Sequence, residues 1–364
     1  MRFVFKTSYD ADINWFKHKY QAFWYVLLLA IMLAAPLFIG SYFIGEFALV
    51  LIFSVAAMGL MLLTGHTGLP SLGHAAFMAM GCFANVLMLN AGIPWLIAFP
   101  LSGIIAGLAG TLIMLPVLRL HGVYLALATL ALSILIADIV VLAEPWTGGV
   151  AGMIVPPISL FGQEIDRFGT PFLFYYVCLA VTVLVVMLYR NLLRSPLGRS
   201  FLAIRDSEVS AQAMGIHLAQ TKARSLFLSA TFAGLAGALF GHSAGYVNSE
   251  TFDLVLSINL LIMIVIGGLG FMHGAFLGAV VYTVIPLALA IFRTFLQTAF
   301  DININIPGME AGIFAGILII MLLFEPMGLY GVWLKLRTYF ELFPFYRKDM
   351  FKRQKSYLKT ERVQ

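Results

Sequence analysis

The chain has 364 residues, 61% of them hydrophobic and only 11% charged, with a formal net charge of +5. A soluble domain carries about 25% charged residues, so a water-soluble enzyme is excluded and the chain belongs in a bilayer. Repeated apolar stretches long enough to cross about 30 Å of hydrocarbon predict an all-α, polytopic membrane helix bundle rather than a barrel of short alternating strands.

A window of about 19 residues predicts about ten transmembrane helices, near 22–40, 46–63, 74–91, 94–118, 122–143, 171–189, 225–246, 254–272, 274–297 and 307–324. Three regions follow: an N-terminal tail (1–21), a transmembrane domain (22–330) and a basic C-terminal tail (331–364). The first apolar run is as long as a span, and no small-residue cleavage site follows it, so it reads as a span and not as a removable leader. With both termini cytoplasmic, only Arg167 and Arg293 of the 22 Lys and Arg fall on the outer side. That asymmetry is the positive-inside pattern. The C-terminal run from Lys335 to Arg362 is either a solvated positive-inside tail or a surface for anionic membrane lipid, and no nucleic-acid partner is expected.

Between the second and third spans, Gly65, Gly68 and Gly73 predict a helix break, and Ser71 and His74 place hydrogen-bonding groups beside it. Non-helical backbone is tolerated at membrane depth only where it is buried in protein or lines a cavity. Past Arg119, Tyr124 and Thr129 add polar groups without fixed charge, suited to a neutral or zwitterionic solute; helix packing accounts for each of these residues singly as well. The long loop 144–170 opens on a turn at Thr147, Gly148 and Gly149. Cys82 and Cys178 lie inside apolar stretches, so neither a disulfide framework nor a thiolate metal site is indicated.

The loop 190–224 contains a short helix signal: Asp206 as N-cap, helix-compatible residues Ser207–Met214, and Gly215 at the left-handed stop. Val209, Ala213 and Ile216 make a narrow apolar face with Glu208 beside it. Such a helix either docks in a groove of another protein or rests on the membrane surface. A second glycine-rich break follows at Gly267, Gly268 and Gly270. The pentapeptide Ala-Gly-Leu-Ala-Gly occurs at 106–110 and again at 233–237, through small-residue packing or as a relic of an inverted repeat.

No phosphate-loop motif occurs, the seven histidines are scattered, and no carboxylates pair at metal spacing. Neither catalytic nor metal-ligating residues are therefore expected, and no cofactor. Asp138, Arg293, Glu310 and Glu325 lie toward the ends of spans, which leans away from a proton relay.

The run Gly198-Arg-Ser-Phe-Leu-Ala-Ile-Arg205-Asp206-Ser-Glu208-Val-Ser-Ala211-Gln-Ala-Met-Gly215-Ile216 resembles the cytoplasmic coupling loop of bacterial ABC importer permeases, in the version found in the branched-chain amino-acid permease family. Gly65-His-Thr-Gly68-Leu-Pro-Ser71-Leu-Gly73-His74-Ala-Ala-Phe77 is similar to that family's G-x-x-G-x-x-S-L-G-H-A-A-F signature. The stretches Arg119–Ala131, Thr147–Gly152 and Ile266–Gly270 resemble its remaining motifs in the same order, whereas Leu69-Pro70 and Cys82-Phe83 depart from the common pattern.

The resemblance implies a permease subunit in a bacterial inner membrane. It translocates branched-chain or related hydrophobic amino acids delivered by an extracytoplasmic solute-binding protein. It pairs with a homologous second permease subunit and is driven by two ATP-binding subunits that hold the nucleotide. Contact with the ATPase is implied for Arg205, Asp206, Glu208, Ala211 and Gly215. A urea or short-amide permease shares most of these motifs, and an ion-coupled secondary transporter is the reading from another class.

Overall fold

In a computed structural model of the chain, the described residues are 19–120, 122–160, 162–300, 309–325 and 327–342. Most of both predicted tails, residues 1–18 and 343–364, lies outside them. The helices are α1 (Lys19–Phe38), α2 (Ser41–Leu60), α3 (His74–Asn90), α4 (Trp95–Met114), α5 (Val123–Leu142), α6 (Glu144–Thr147), α7 (Pro171–Arg194), α8 (Pro196–Asp206), α9 (Glu208–Ala213), α10 (Leu218–Ala244), α11 (Leu254–Gly267), α12 (Met272–Phe300), α13 (Met309–Phe324) and α14 (Gly328–Leu342). Four short strands accompany them: β1 (Met153–Ile154), β2 (Ile158–Leu160), β3 (Gln163–Ile165) and β4 (Tyr246–Val247).

Among the described residues, seven helical stretches are long and apolar enough to cross a membrane: Ser41–His66, Trp95–Met114, Val123–Leu142, Pro171–Arg194, Leu218–Ala244, Ser249–Gly267 and Met272–Phe292. Among the described residues Ala22–Phe38 and His74–Asn90 are apolar and shorter. The predicted spans 22–40 and 307–324 lie close to or run into residues outside the described ones, whereas 74–91 is a helix of 17 residues. For α3 the reason is local. The chain reaches it through an irregular segment, residues 67–73, much of which is buried, and that segment uses up depth a longer helix would have occupied.

The core is built on α2 and α10. Along α2 almost every residue from Val50 to His66 is buried, as expected of a helix apolar all round. Helix α10 packs against α2, α3 and α4, while α7 and α12 pack on α2 and α11 pairs with α12. Between membrane helices there is no hydrophobic driving force, and small residues that admit close backbone approach take its place. The two pentapeptides illustrate this: a Cβ added to Gly234 would come 2.5 Å from Ala106 Cβ and 3.3 Å from Gly103 Cα. The repeats meet at the α4–α10 crossing, and small-residue packing accounts for them.

The loop 144–170 is folded and not open. Strands β2 and β3 pair antiparallel with Ser159 opposite Glu164, and β1 pairs with β4 at the end of α10, Met153 opposite Val247. Arg167 closes the loop onto the bundle by donating to Glu46 Oε1 of α2 at 2.9 Å and to Ser243 Oγ of α10 at 3.0 Å.

Candidate translocation and coupling site

At the end of α2 the helix widens into one π turn, Met61–His66, before the chain leaves helical geometry. Side chains hold the break in place. Thr67 donates to Leu62 O at 3.0 Å and lies 2.6 Å from Ser225 Oγ of α10, and Thr64 donates to Leu69 O at 3.1 Å. His66 Nδ1 lies 3.1 Å from Tyr189 Oη of α7. Gly68 has φ +75°, a conformation that L side chains rarely adopt.

The break then delivers three predicted residues to the start of α3. Leu72 N donates to Thr129 Oγ1 at 2.9 Å, and Ala75 N donates to Ser257 Oγ at 3.0 Å, so hydroxyls from α5 and α11 satisfy orphan amides at this helix end. A Cβ on Gly73 would overlap the carbonyl of Thr129, so α3 and α5 are in backbone contact here. Among the described residues, the Ser71 hydroxyl and the ring nitrogens of His74 are buried and make no hydrogen bond of normal geometry. His74 stands edge-on to Phe77, ring centroids 5.6 Å apart.

Tyr124 does not join this group. It is 73% exposed, whereas Thr129 is buried. Five residues of α-helix turn the side chain by roughly 140°, so the two face different ways. The turn at Thr147, Gly148 and Gly149 lies beyond the other end of α5, roughly 20 Å from Thr129 along the helix, and belongs to another part of the molecule. There Thr147 Oγ1 donates to Val140 O at 2.5 Å, and Gly148 and Gly149 have φ +72° and +58°. These residues shape a turn.

The second break meets the first. Gly267 ends α11 with its Cα in backbone contact with Gly274, Gly268 has φ +120°, and Gly270 N donates to Met61 Sδ at 3.1 Å. Gly328, at the start of α14, packs directly on Gly268.

The short helix predicted in the loop 190–224 exists as α9, with differences in its cap and in the residues that face inward. Its N-cap is Ser207, whose Oγ accepts from Ser210 N at 3.2 Å, while Asp206 ends the preceding α8. The stop follows the expected motif: Ile216 N donates to Ala211 O, Gly215 N donates to Gln212 O, and Gly215 has φ +84°. Val209, and Met214 at the C-cap, are 80% and 83% exposed, on sides of the helix roughly 140° apart. Ala211 is buried, so it seats the helix and does not belong to its exposed surface. Glu208 likewise has a partner within the chain: Lys222 Nζ, nearly fully buried on α10, donates to it at 2.7 Å. Arg205, although exposed, also has a partner within the chain and donates to Gly65 O at 2.6 Å.

Several structural participants escaped the sequence reading, namely Lys222, Ser225, Ser257, and the buried pair of His242 Nε2 and Asn85 Oδ1 at 3.0 Å. The one available signal was the polar spacing on α10, where Ser225 and Ser229 lie one turn apart and both reach α2 or its break.

The family model for the branched-chain amino acid transport system permease component matches residues 42–324. The chain is 29% identical over 331 residues to the high-affinity branched-chain amino acid transport system permease proteins LivM of Salmonella typhimurium and Escherichia coli K12, covering 85% of this chain and 75% of each relative. It is 24% identical over 284 residues to the autoinducer 2 import system permease protein LsrC of Escherichia coli O9:H4, 74% of this chain and 79% of that protein. With its glycine-broken helices and apolar spans, the chain belongs to the branched-chain amino acid transport system permease component family, as a multi-pass protein of the inner membrane.

Proposed function

We propose that this chain is the membrane-spanning subunit of an ABC importer, moving branched-chain or related hydrophobic amino acids. An extracytoplasmic binding protein delivers the solute, a second related permease chain completes the path, and two ATPase chains drive the cycle from the cytoplasm. The observation that carries this reading is α9. Its amphipathic placement is inverted for a surface helix, with small Ala211 packed inward and Val209 and Met214 left in the open, next to a rigid capped start and stop. Exposed Val209 suits a groove on a partner, since a β-branched side chain loses little entropy on docking. The similarity to LivM supports the solute class. The buried Ser71 and His74 are groups without fixed charge that a rearranged α3–α5 contact would present to a zwitterion.

The test is purification of the chain with candidate ATPase subunits. Val209→Glu places a charge on a side chain that is 80% exposed, so the melting temperature in detergent should stay within about 2 °C, since exposed substitutions away from special features are near neutral. ATPase association should weaken at least about tenfold, the usual scale for a central interface anchor. Wild-type association and uptake in this variant would remove α9 from the interface.

The topology carries its own expectation. In a background lacking Cys82 and Cys178, a cysteine introduced at residue 159 should react with an impermeant thiol reagent added to intact cells, and one at residue 355 should not. Residue 355 lies outside the described residues. Labelling at 355 from outside would reverse the assignment.

A further inference from the structure

We propose that Arg205 is the positioning residue through which displacement of the α8–α9 pair reaches both glycine-rich breaks. The inference rests on the reading of α9 as the ATPase-docking element, and it moves Arg205 from the docking surface to the membrane side of the joint.

Arg205 lies in the last turn of α8, just before the corner into α9. Its guanidinium donates from Nη1 to Gly65 O at 2.6 Å. In a continued α-helix that carbonyl would receive Leu69 N. Here Leu69 N donates to Leu63 O at 3.1 Å instead, so Arg205 supplies the donor that the break withholds. Gly65 is buried while Arg205 is exposed, so the guanidinium reaches in from the surface to a carbonyl left without its helical donor. An unsatisfied buried acceptor is costly, which ties the present form of the first break to this side chain.

The same residue touches the rest of the junction. A Cβ on Gly68 would meet Arg205 Cα at 3.3 Å, and one on Gly270 would lie 2.7 Å from Nη1. The two breaks are themselves in contact, because a Cβ on Gly65 would lie 3.0 Å from Gly270 N. Any side chain at these glycines would displace the guanidinium or the opposing backbone. Meanwhile α9 is fastened to α10 by Glu208 and Lys222, and Ala211 is buried. Helices α8 and α9 pack on one another across the corner at Ser207, so a push on α9 is passed to α8, and Arg205 is a polar link from that unit to the place where the breaks meet. The same Nη1 that bonds the Gly65 carbonyl is the guanidinium atom nearest Gly270, so one nitrogen meets both breaks.

The experiment uses the assembled complex in proteoliposomes, with Arg205→Ala and Arg205→Lys. ATPase co-purification, ATP hydrolysis and leucine uptake are measured, along with the spectrum of a nitroxide on a cysteine replacing Leu269, which is 38% exposed, in a background lacking Cys82 and Cys178. For Arg205→Ala, ATPase association and hydrolysis should stay within about twofold, while uptake falls at least about tenfold, the scale of one unsatisfied buried polar group. The ATP-dependent change at position 269 seen in the parent should disappear. Arg205→Lys keeps a donor for Gly65 O and should recover part of both signals. Should Arg205→Ala fail to insert, Arg205→Lys decides alone, with reduced uptake and a reduced response at 269 at wild-type ATPase association. Loss of ATPase association in step with uptake would make Arg205 a docking contact and overturn the proposal. So would an unchanged response at 269. A wild-type chain that binds no ATPase at all would overturn the parent reading as well, which separates the two failures.

Discussion

Gly73→Leu and Gly267→Leu are expected to reach the membrane and to support no measurable uptake, and alanine at either position should already cause most of the loss. A Cβ on Gly73 would overlap the carbonyl of Thr129, and one on Gly267 would overlap that of Gly274 while lying 2.9 Å from Gly278 N. Backbone carbonyls in packed helices cannot swing aside as a flexible side chain does, so the first atom of any substituent has to separate two elements. At Gly73 that separation removes the bond from Leu72 N to Thr129 Oγ1 and exposes the end of α3. At Gly267 it splits the α11–α12 hairpin, whose contact continues at Gly278 against Met263. Overpacking alone costs about 1–3 kcal/mol, and each lost buried hydrogen bond adds about 1 kcal/mol. Thermal unfolding in detergent should therefore fall by several degrees while the inserted amount stays near that of the parent. Leucine uptake in intact cells is the deciding measurement: rates near wild type for both alanine variants would take these contacts out of the transport path.

Glu208→Lys and Ala211→Trp are expected to act first on folding and only through it on ATPase association. In the sequence Glu208 lies beside the apolar face of the short helix, and the resemblance implies that it contacts the ATPase. In the structure it neutralises Lys222, whose side chain is 4% exposed against 30% for Glu208. Removing one member of a buried pair costs about 3–5 kcal/mol. Because Glu208 retains some solvent, about 2 kcal/mol is the fitting scale here, and a second lysine adds repulsion to the lost bond. Ala211 is 1% exposed, so an indole there must displace the whole of α9. Both variants should lower the melting temperature of the purified chain in the absence of any ATPase. A double variant, Glu208→Gln with Lys222→Met, should recover much of the loss, since an apolar replacement of a buried pair is often neutral. If Glu208→Lys melts like the parent and yet binds no ATPase, the glutamate faces the partner after all and the ion pair with Lys222 is incidental.

Much of the architecture was legible in the residues. Long apolar runs imply spanning helices because backbone amides in lipid must be satisfied within the segment. Gly65, Gly68, Gly267 and Gly268 marked both breaks, since glycine tolerates the positive φ and close approach that breaks require. Gly215 marked the end of α9 for the same reason, and the order of the motifs pointed to the family that the comparisons bear out.

Partners across the fold were not legible. Nothing local pairs Ala75 with Ser257, Glu208 with Lys222, or Arg205 with Gly65, residues separated by as many as 182 positions. Nor did the pattern reveal which way Tyr124 or Ala211 points. In water an amphipathic stripe distinguishes core from surface, but lipid tails are as apolar as leucine. Along α5, exposed Leu127, Ile134 and Leu135 and buried Leu125, Leu132 and Ile136 are the same kinds of residue. Glycines and hydrophobic length therefore determined where the chain spans and where it breaks, and only tertiary packing decided which face meets which neighbour, because in a bilayer both faces carry the same chemistry.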